Sequence, residues 1–222
     1  MKLTIFAATG GIGRKALEQA LAAGHEVTAV VRDPTKLAGA GVRIVTADLA
    51  APDQEALESA VGGADAVLSG RGPRSKADAG IASTGTRAIV GAMQARGIRR
   101  IVVVSAAPIG TVASPGRPRP PRDDPGDGFF MRNLFSHIAR VAFRENYADL
   151  AMMEDIIRDS DLDWTVVRPP KLTDEPLTGT YRTASGQNIR GGWSVPRADV
   201  AHLMLRVLEQ PETIKQVIGV AS

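Results

Sequence analysis

The stretch Thr4–Asp33, TIFAATGGIGRKALEQALAAGHEVTAVVRD, constrains the fold more than any other part of the chain. Leu3, Ile5 and Phe6, with the β-branched Thr4 among them, read as a short buried strand, because Gly10, Gly11 and Gly13 stop any helix there. Ile12, Ala16, Leu17, Ala20 and Leu21 then recur at helical spacing and give one apolar face. Gly24 is placed to end that helix in a left-handed conformation. Val27, Ala29, Val30 and Val31 form the second strand of a βαβ unit.

The turn of this unit has the chemistry of a phosphate site. Peptide N–H groups at a helix start have no partner within the helix, and the helix dipole adds positive potential beside them. A pyrophosphate sits on such groups when no side chain blocks its approach. The spacing Ala7-Ala8-Thr9-Gly10-Gly11-Ile12-Gly13 does not satisfy GxGxxG; it is closer to GxxGxxG, with Ala7 where the first glycine would stand. Between a strand and an amphipathic helix, it predicts dinucleotide binding at this turn, the alternative being a tight turn with no ligand. Dinucleotide folds that take NAD place an acid at the end of the second strand, where it accepts hydrogen bonds from the ribose 2′-hydroxyl. An arginine there meets a 2′-phosphate instead. This chain has Arg32 followed by Asp33, which favours NADP(H) and leaves NAD(H) open.

Composition narrows the class. A chain of 222 residues with 44% hydrophobic content is enough for one domain with a sizeable core. Its 27 Lys and Arg against 24 Asp and Glu leave a net charge of +3, too small to argue for nucleic acid. Cysteine is absent, which excludes disulfides and thiolate chemistry, and His25, His137 and His202 lack metal-ligand spacing, so no metal is expected. The chain opens directly into a strand and has no apolar run near membrane-spanning length. The expectation is a cytoplasmic monomer with neither a membrane nor a nucleic-acid partner.

Residues 34–105 repeat the alternation of strand and helix. Pro34–Leu37 is a short helix start; Val42–Val45, Ala64–Leu68 and Ile101–Val104 are strands; Pro52–Val61 and Gly80–Arg96 are helices. Asp48, after the third strand, either meets the adenine amino group or solvates a strand end. Ser69-Gly70-Arg71-Gly72 and Ser105 follow the fourth and fifth strands, at the carboxyl edge where open α/β sheets bind ligands. Arg96, Arg99 and Arg100 read as a solvated cluster. About 108–128 the chain turns rich in proline and arginine and loses periodicity, so it is a loop, either a lid or an excursion. Phe129–Ser160 is helical and broken: Phe130, Leu134, Ile138 and Val141 make one apolar face, Tyr147, Leu150, Met153, Ile156 and Ile157 another. Trp164–Val167 is a sixth strand, Leu177–Ile189 is extended, Pro196–Leu208 is a helix with Asp199 near its positive end, and Ile214–Val220 is the last strand. The fold class is α/β: a single Rossmann-fold domain over 1–222 with a doubly wound, mainly parallel sheet.

Reductases of this shape often use a serine and a tyrosine on the substrate carbonyl, with a lysine four residues after the tyrosine to lower its pKa from about 10. Ser105 occupies the serine's place. Tyr147 is followed four residues on by Ala151 and Tyr181 by Ser185, so the pair is missing at its usual spacing. Hydride transfer needs only cofactor and acceptor held face to face; solvent or Lys171 is left to deliver the proton.

The ATGGIG turn, VVRDP, the Ala47-Asp48 pair, Ser105 in VVVSAAP and the run RPPKLTDEPLTGTY together resemble the atypical short-chain dehydrogenase/reductases, in the group related to NmrA-like proteins and to biliverdin reductase B, a flavin reductase. The resemblance implies that Thr9–Gly13 hold the pyrophosphate and Arg32 the 2′-phosphate. It also implies that Asp48 and Leu49 flank adenine, that Ser69, Gly70 and Arg71 line the ribose side, and that Ser105 with Pro169, Pro170, Lys171 and Leu172 surrounds the nicotinamide. Ala7 departs from the pattern, as does Lys171, where flavin reductase has a histidine. Two functions are compatible with it. One is an NADPH-dependent reductase of a flat conjugated acceptor (flavin, tetrapyrrole or quinone) with Ser105 and Lys171 in the chemistry. The other is a non-catalytic sensor that binds NADP(H) and a partner protein.

Overall fold

The computed structural model describes residues 1–37, 41–72, 78, 80–127 and 143–222. Strands β1 (Lys2–Phe6), β2 (Glu26–Val31), β3 (Arg43–Thr46), β4 (Ala66–Ser69), β5 (Arg100–Val104), β6 (Asp163–Arg168), β8 (Arg182–Ser185) and β10 (Gln216–Ala221) form one sheet in the order β3-β2-β1-β4-β5-β6-β10-β8. All pairings are parallel except that of the edge strand β8 with β10. The doubly wound α/β class is therefore observed. The chain winds outward from β1 to β3, returns to β4, and winds the other way. The switch point lies between β1 and β4, where ligands bind in open sheets.

Alternation along the strands decides which helices cover each face. Leu3 and Ile5 of β1, Val27, Ala29 and Val31 of β2, and Val102 and Val104 of β5 face α1 (Gly11–Ala22) and α5 (Arg197–Arg206). Phe6, Val30, Ile101 and Val103 face α2 (Gln54–Val61), α3 (Ile81–Ala95) and α4 (Arg144–Arg158). Thr4 points to the second face fully buried, and its hydroxyl donates to the Ala60 carbonyl of α2 at 2.7 Å. Gly24 does end its helix with φ +76°. The N-terminus of α3 is capped from another element: the Asp149 carboxylate of α4 accepts from the amides of Ala82 and Ser83 at 2.9 and 3.0 Å. Among the described residues no helix is long and apolar enough to cross a membrane.

Three features differ from the sequence reading, and Asp199 gains partners beyond its own helix. Arg100 is not solvated. Its guanidinium is part-buried and donates to the carbonyls of Asp163 and Val207 and the hydroxyls of Thr165 and Thr213, and burial lowers its pKa. Asp199 lies in the first turn of its helix, as expected, and, fully buried, it also accepts from the amides of Thr178 and Gly179 and the Thr178 hydroxyl. The proline-rich stretch packs as part of the domain. Ala107–Thr111 is a 3-10 turn, Asp155 of α4 accepts from the Ser114 hydroxyl and the Gly116 amide, and buried Asp124 accepts from the amides of Gly126 and Asn188. Finally, β7 (Lys171–Thr173) and β9 (Ser194–Pro196) form a separate two-stranded parallel ribbon. The apolar face predicted from Phe130, Leu134, Ile138 and Val141 lies outside the described residues; the second face is α4, with Leu150, Met153 and Ile157 buried.

Candidate dinucleotide site

The turn after β1 opens onto the switch point. Gly10 is the N-cap of α1 and supplies no side-chain cap, and the first α-helical bond runs from Arg14 N–H to the Gly10 carbonyl. The amides of Gly11, Ile12 and Gly13 are thus left outside the helical bonding, at the positive end of the dipole and with no acid in the first turn. The glycines do different work. A Cβ on Gly13 would run into the Ala7 carbonyl, so Gly13 allows helix and strand to close on each other. A Cβ on Gly70, after β4, would lie 2.8 Å from the Gly13 amide nitrogen, so the two turns pack backbone to backbone. A Cβ on Gly11 would lie 2.7 Å from Cδ of Arg197. Ala7, the departure from the glycine pattern, adopts φ +55°, a left-handed conformation that favours glycine.

Two cavities meet at this turn. The first, about 250 Å³, is lined by Phe6, Ala7, Thr9, Gly10, Val30, Val31, Arg32, Asp33, Lys36, Ala47, Leu49 and Arg71. The second, about 320 Å³, is lined by Ala7, Gly10, Gly11, Ile12, Gly70, Arg71, Gly72, Leu172, Asp174 and Arg197. The first suits an adenosine: apolar walls from Val30, Ala47 and Leu49, and two cations, Arg32 and Lys36, at one end. Asp33, at the place of a ribose-binding acid, has one carboxylate oxygen engaged by Thr35 and the other 3.9 Å from Lys36 Nζ. Its carboxylate accepts from the Thr35 hydroxyl at 2.6 Å and the Thr35 amide at 3.1 Å. The Thr35 hydroxyl above all, then the amide, and more weakly Lys36, hold it below the usual carboxylate range against a small desolvation. Unpaired helix-start amides, an apolar slot and two cations fit a dinucleotide.

The remaining residues singled out in the sequence divide. Leu49 lines the first cavity and packs on Gly85, and Arg71 borders both cavities, with Asp78 at 3.3 Å. Leu172 borders the second. Ser69 is buried at the end of β4. Asp48 is exposed, lines neither cavity, and accepts from the Ala50 amide at 3.0 Å. The Pro169 carbonyl accepts from the Ala107 amide, tying the end of β6 to the turn after β5, and Pro170 lies over a small cleft beside Arg168. Lys171 is exposed at the start of β7 and lines neither large cavity.

Ser105 is 6% exposed, and its hydroxyl donates to Glu154 at 2.7 Å. Glu154 has no exposed surface; Arg168 donates to it through Nε at 2.8 Å and Nη2 at 2.5 Å, and Arg158 through Nη2 at 2.6 Å. Burial alone would raise the Glu154 pKa, but Arg168, Arg158 and the Ser105 hydroxyl outweigh it and hold the carboxylate below its ordinary value. The Ser105 proton is thus committed to a buried ion cluster. Neither tyrosine lines the two cavities. Tyr147 packs on the second core with its pKa raised by burial, and the Tyr181 hydroxyl bonds His202 Nδ1 at 2.7 Å.

Sequence reasoning missed Lys36, Asp174 and Arg197. Lys36 stands four residues after Arg32, in the turn that follows β2, where a second cation near a 2′-phosphate is within reach. No sequence signal couples Arg197 to the glycine turn, because the link is made by the β7–β9 ribbon.

The NAD(P)H-binding family model matches residues 7–211. A UPF0659 protein of Schizosaccharomyces pombe is 28% identical, over 97% of this chain and 89% of that protein. The solved structure of ChuY, an anaerobilin reductase of Escherichia coli O157:H7, superposes with a TM-score of 0.77 at 26% identity, covering 100% of this chain and 97% of that one. A short-chain dehydrogenase/reductase of Veillonella parvula, solved in complex with NADP, shares the fold with a TM-score of 0.76 at 18% identity, over 100% of this chain and 94% of that one. With the family match running from the glycine turn almost to the last strand, the chain belongs to the NAD(P)H-binding family.

Proposed function

We propose that the protein is an NADPH-dependent reductase of a flat conjugated acceptor, of the tetrapyrrole, flavin or quinone type. The observation that carries the cofactor half is the cavity after β2: Arg32 and Lys36 line it, while Asp33 is engaged by Thr35. That arrangement favours a 2′-phosphate over a free ribose diol. The acceptor half is supported by the likeness to ChuY along the whole chain. When bound, the nicotinamide supplies a hydride. The chain's own part is to hold the diphosphate on the α1 amides, the adenosine between Val30 and Leu49, and the reacting face beside Leu172. Lys171, adjacent to Leu172 and exposed, is the side chain proposed to place positive charge, or a proton, at a reduced acceptor.

One observation favours the alternative of an NADP(H) sensor without turnover. The Ser105 proton is held by Glu154 and neither tyrosine borders the cavities, so the described residues lack the usual proton-donating set. Oxidation of NADPH, followed by absorbance with a panel of tetrapyrroles, flavins and quinones, separates the two. Turnover with any member supports the reductase. Tight NADPH binding with no turnover across the panel overturns it and supports the sensor.

A further inference from the structure

The β7–β9 ribbon sets up a contact that the sequence does not announce. Its register pairs Lys171 with Ser194, Leu172 with Val195 and Thr173 with Pro196. The next residue on each strand is therefore brought together at the end of the ribbon: Asp174 and Arg197, whose Nη1 and Oδ1 lie 2.7 Å apart. Arg197 is also the first residue of α5. The Gln19 side chain of α1 donates to the Ala198 carbonyl at 2.9 Å, so the start of α5 is tied to the helix that carries the glycine turn. Gly11 completes the arrangement, since only a residue without Cβ leaves room for Cδ and Nε of Arg197.

We propose that Arg197 is a clamp for the diphosphate of the dinucleotide, and that Asp174 is an internal anion occupying the guanidinium until the cofactor displaces it. The proposal rests on the dinucleotide reading of the site. A guanidinium over the positive end of a helix is unfavourable unless an anion lies between or beside them. Asp174 meets that need, yet its side chain is 90% exposed against 29% for Arg197. An exposed carboxylate is weakly held in such a pair and is readily exchanged. A diphosphate does better, because it meets the α1 amides and the guanidinium together, and the fork of an arginine suits two phosphate oxygens. Both Asp174 and Arg197 border the same cavity as Gly10, Gly11 and Ile12. Asp174 also begins the segment that runs to Tyr181, so displacing it connects cofactor occupancy to that segment.

The clamp and the 2′-phosphate site differ in what they read. Titration calorimetry with NADPH, NADH and adenosine 2′-monophosphate, which lacks the diphosphate, distinguishes them. Arg197→Met should weaken NADPH and NADH alike by about tenfold or more, with adenosine 2′-monophosphate unchanged. Arg197→Lys should recover part of the loss, and Asp174→Asn should tighten both dinucleotides by about threefold. Absence of NADPH binding to the wild-type protein would remove the dinucleotide reading and the clamp with it. Wild-type binding with unchanged dinucleotide affinity in Arg197→Met would overturn the clamp alone. A raised acceptor KM with unchanged NADPH affinity would also overturn it, moving Arg197 to the acceptor. Should Arg197→Met melt early, Asp174→Asn decides: weaker binding of both dinucleotides overturns the exchange.

Discussion

The two halves of the carboxyl edge are built on opposite terms. After β1 the helix-start amides are left without a cap, and after β2 Arg32 and Lys36 border a cavity. After β5 and β6 the polar groups are engaged: Ser105, Glu154 and Arg168 satisfy one another out of water, and the part-exposed Arg158 joins them from α4. The first half has binding capacity to offer a ligand, whereas the second has spent its own on holding β5, β6 and α4 together. A serine at the end of a strand is thus not evidence of chemistry until its proton is accounted for.

The largest effect should come from breaking the engaged half. Glu154→Gln leaves Arg168, only 4% exposed, without its counter-charge, and removing one partner of a buried pair costs about 3–5 kcal/mol. Chemical denaturation is expected to show that loss, and an unchanged midpoint would mean the cluster is not structural. The same carboxylate links stability to pH. Its folded pKa lies below the ordinary 4.5, so its contribution is complete above that value and is lost as pH falls through the folded pKa. Acid unfolding of the wild type should carry this dependence, and Glu154→Gln should flatten it.

The open half is tested by selectivity. Arg32→Ala should weaken NADPH by about 1–3 kcal/mol and leave NADH nearly unaffected, because a charge-assisted contact to the 2′-phosphate goes. Equal losses for the two cofactors would remove the 2′-phosphate role from Arg32. Between the halves stands Lys171. Replacing it by Met should lower reductase turnover by about tenfold, or about 1.4 kcal/mol in the barrier, with NADPH affinity kept. Wild-type turnover in that variant would leave Lys171 a surface residue.

The smallest effect sharpens the contrast at its hinge. Ala7 holds φ +55° at the turn where both cavities meet. Ala7→Gly should relieve strain in the folded state, partly offset by a freer unfolded chain, for a net gain of about 0.5–1 kcal/mol in stability. A lower melting temperature for Ala7→Gly would show that the unfolded-state term dominates.

Local order was legible in the sequence because it depends on nearby residues. The strand–glycine–helix unit, the parallel alternation, the left-handed Gly24 and the cation after β2 all follow from periodicity and from what glycine and β-branched residues permit. The glycine turn and Arg32 could be located for the same reason: each is a property of one short segment. What the tertiary structure decided are meetings between distant segments. Ser105 with Glu154, Asp149 with the start of α3, Arg100 with Thr213, and Asp174 with Arg197 over Gly11 each join parts of the chain that no spacing rule connects. A side chain's protons and charge go to whatever the fold brings within about 3 Å, and along a chain of alternating strands and helices that neighbour is set by sheet order and register rather than by sequence distance.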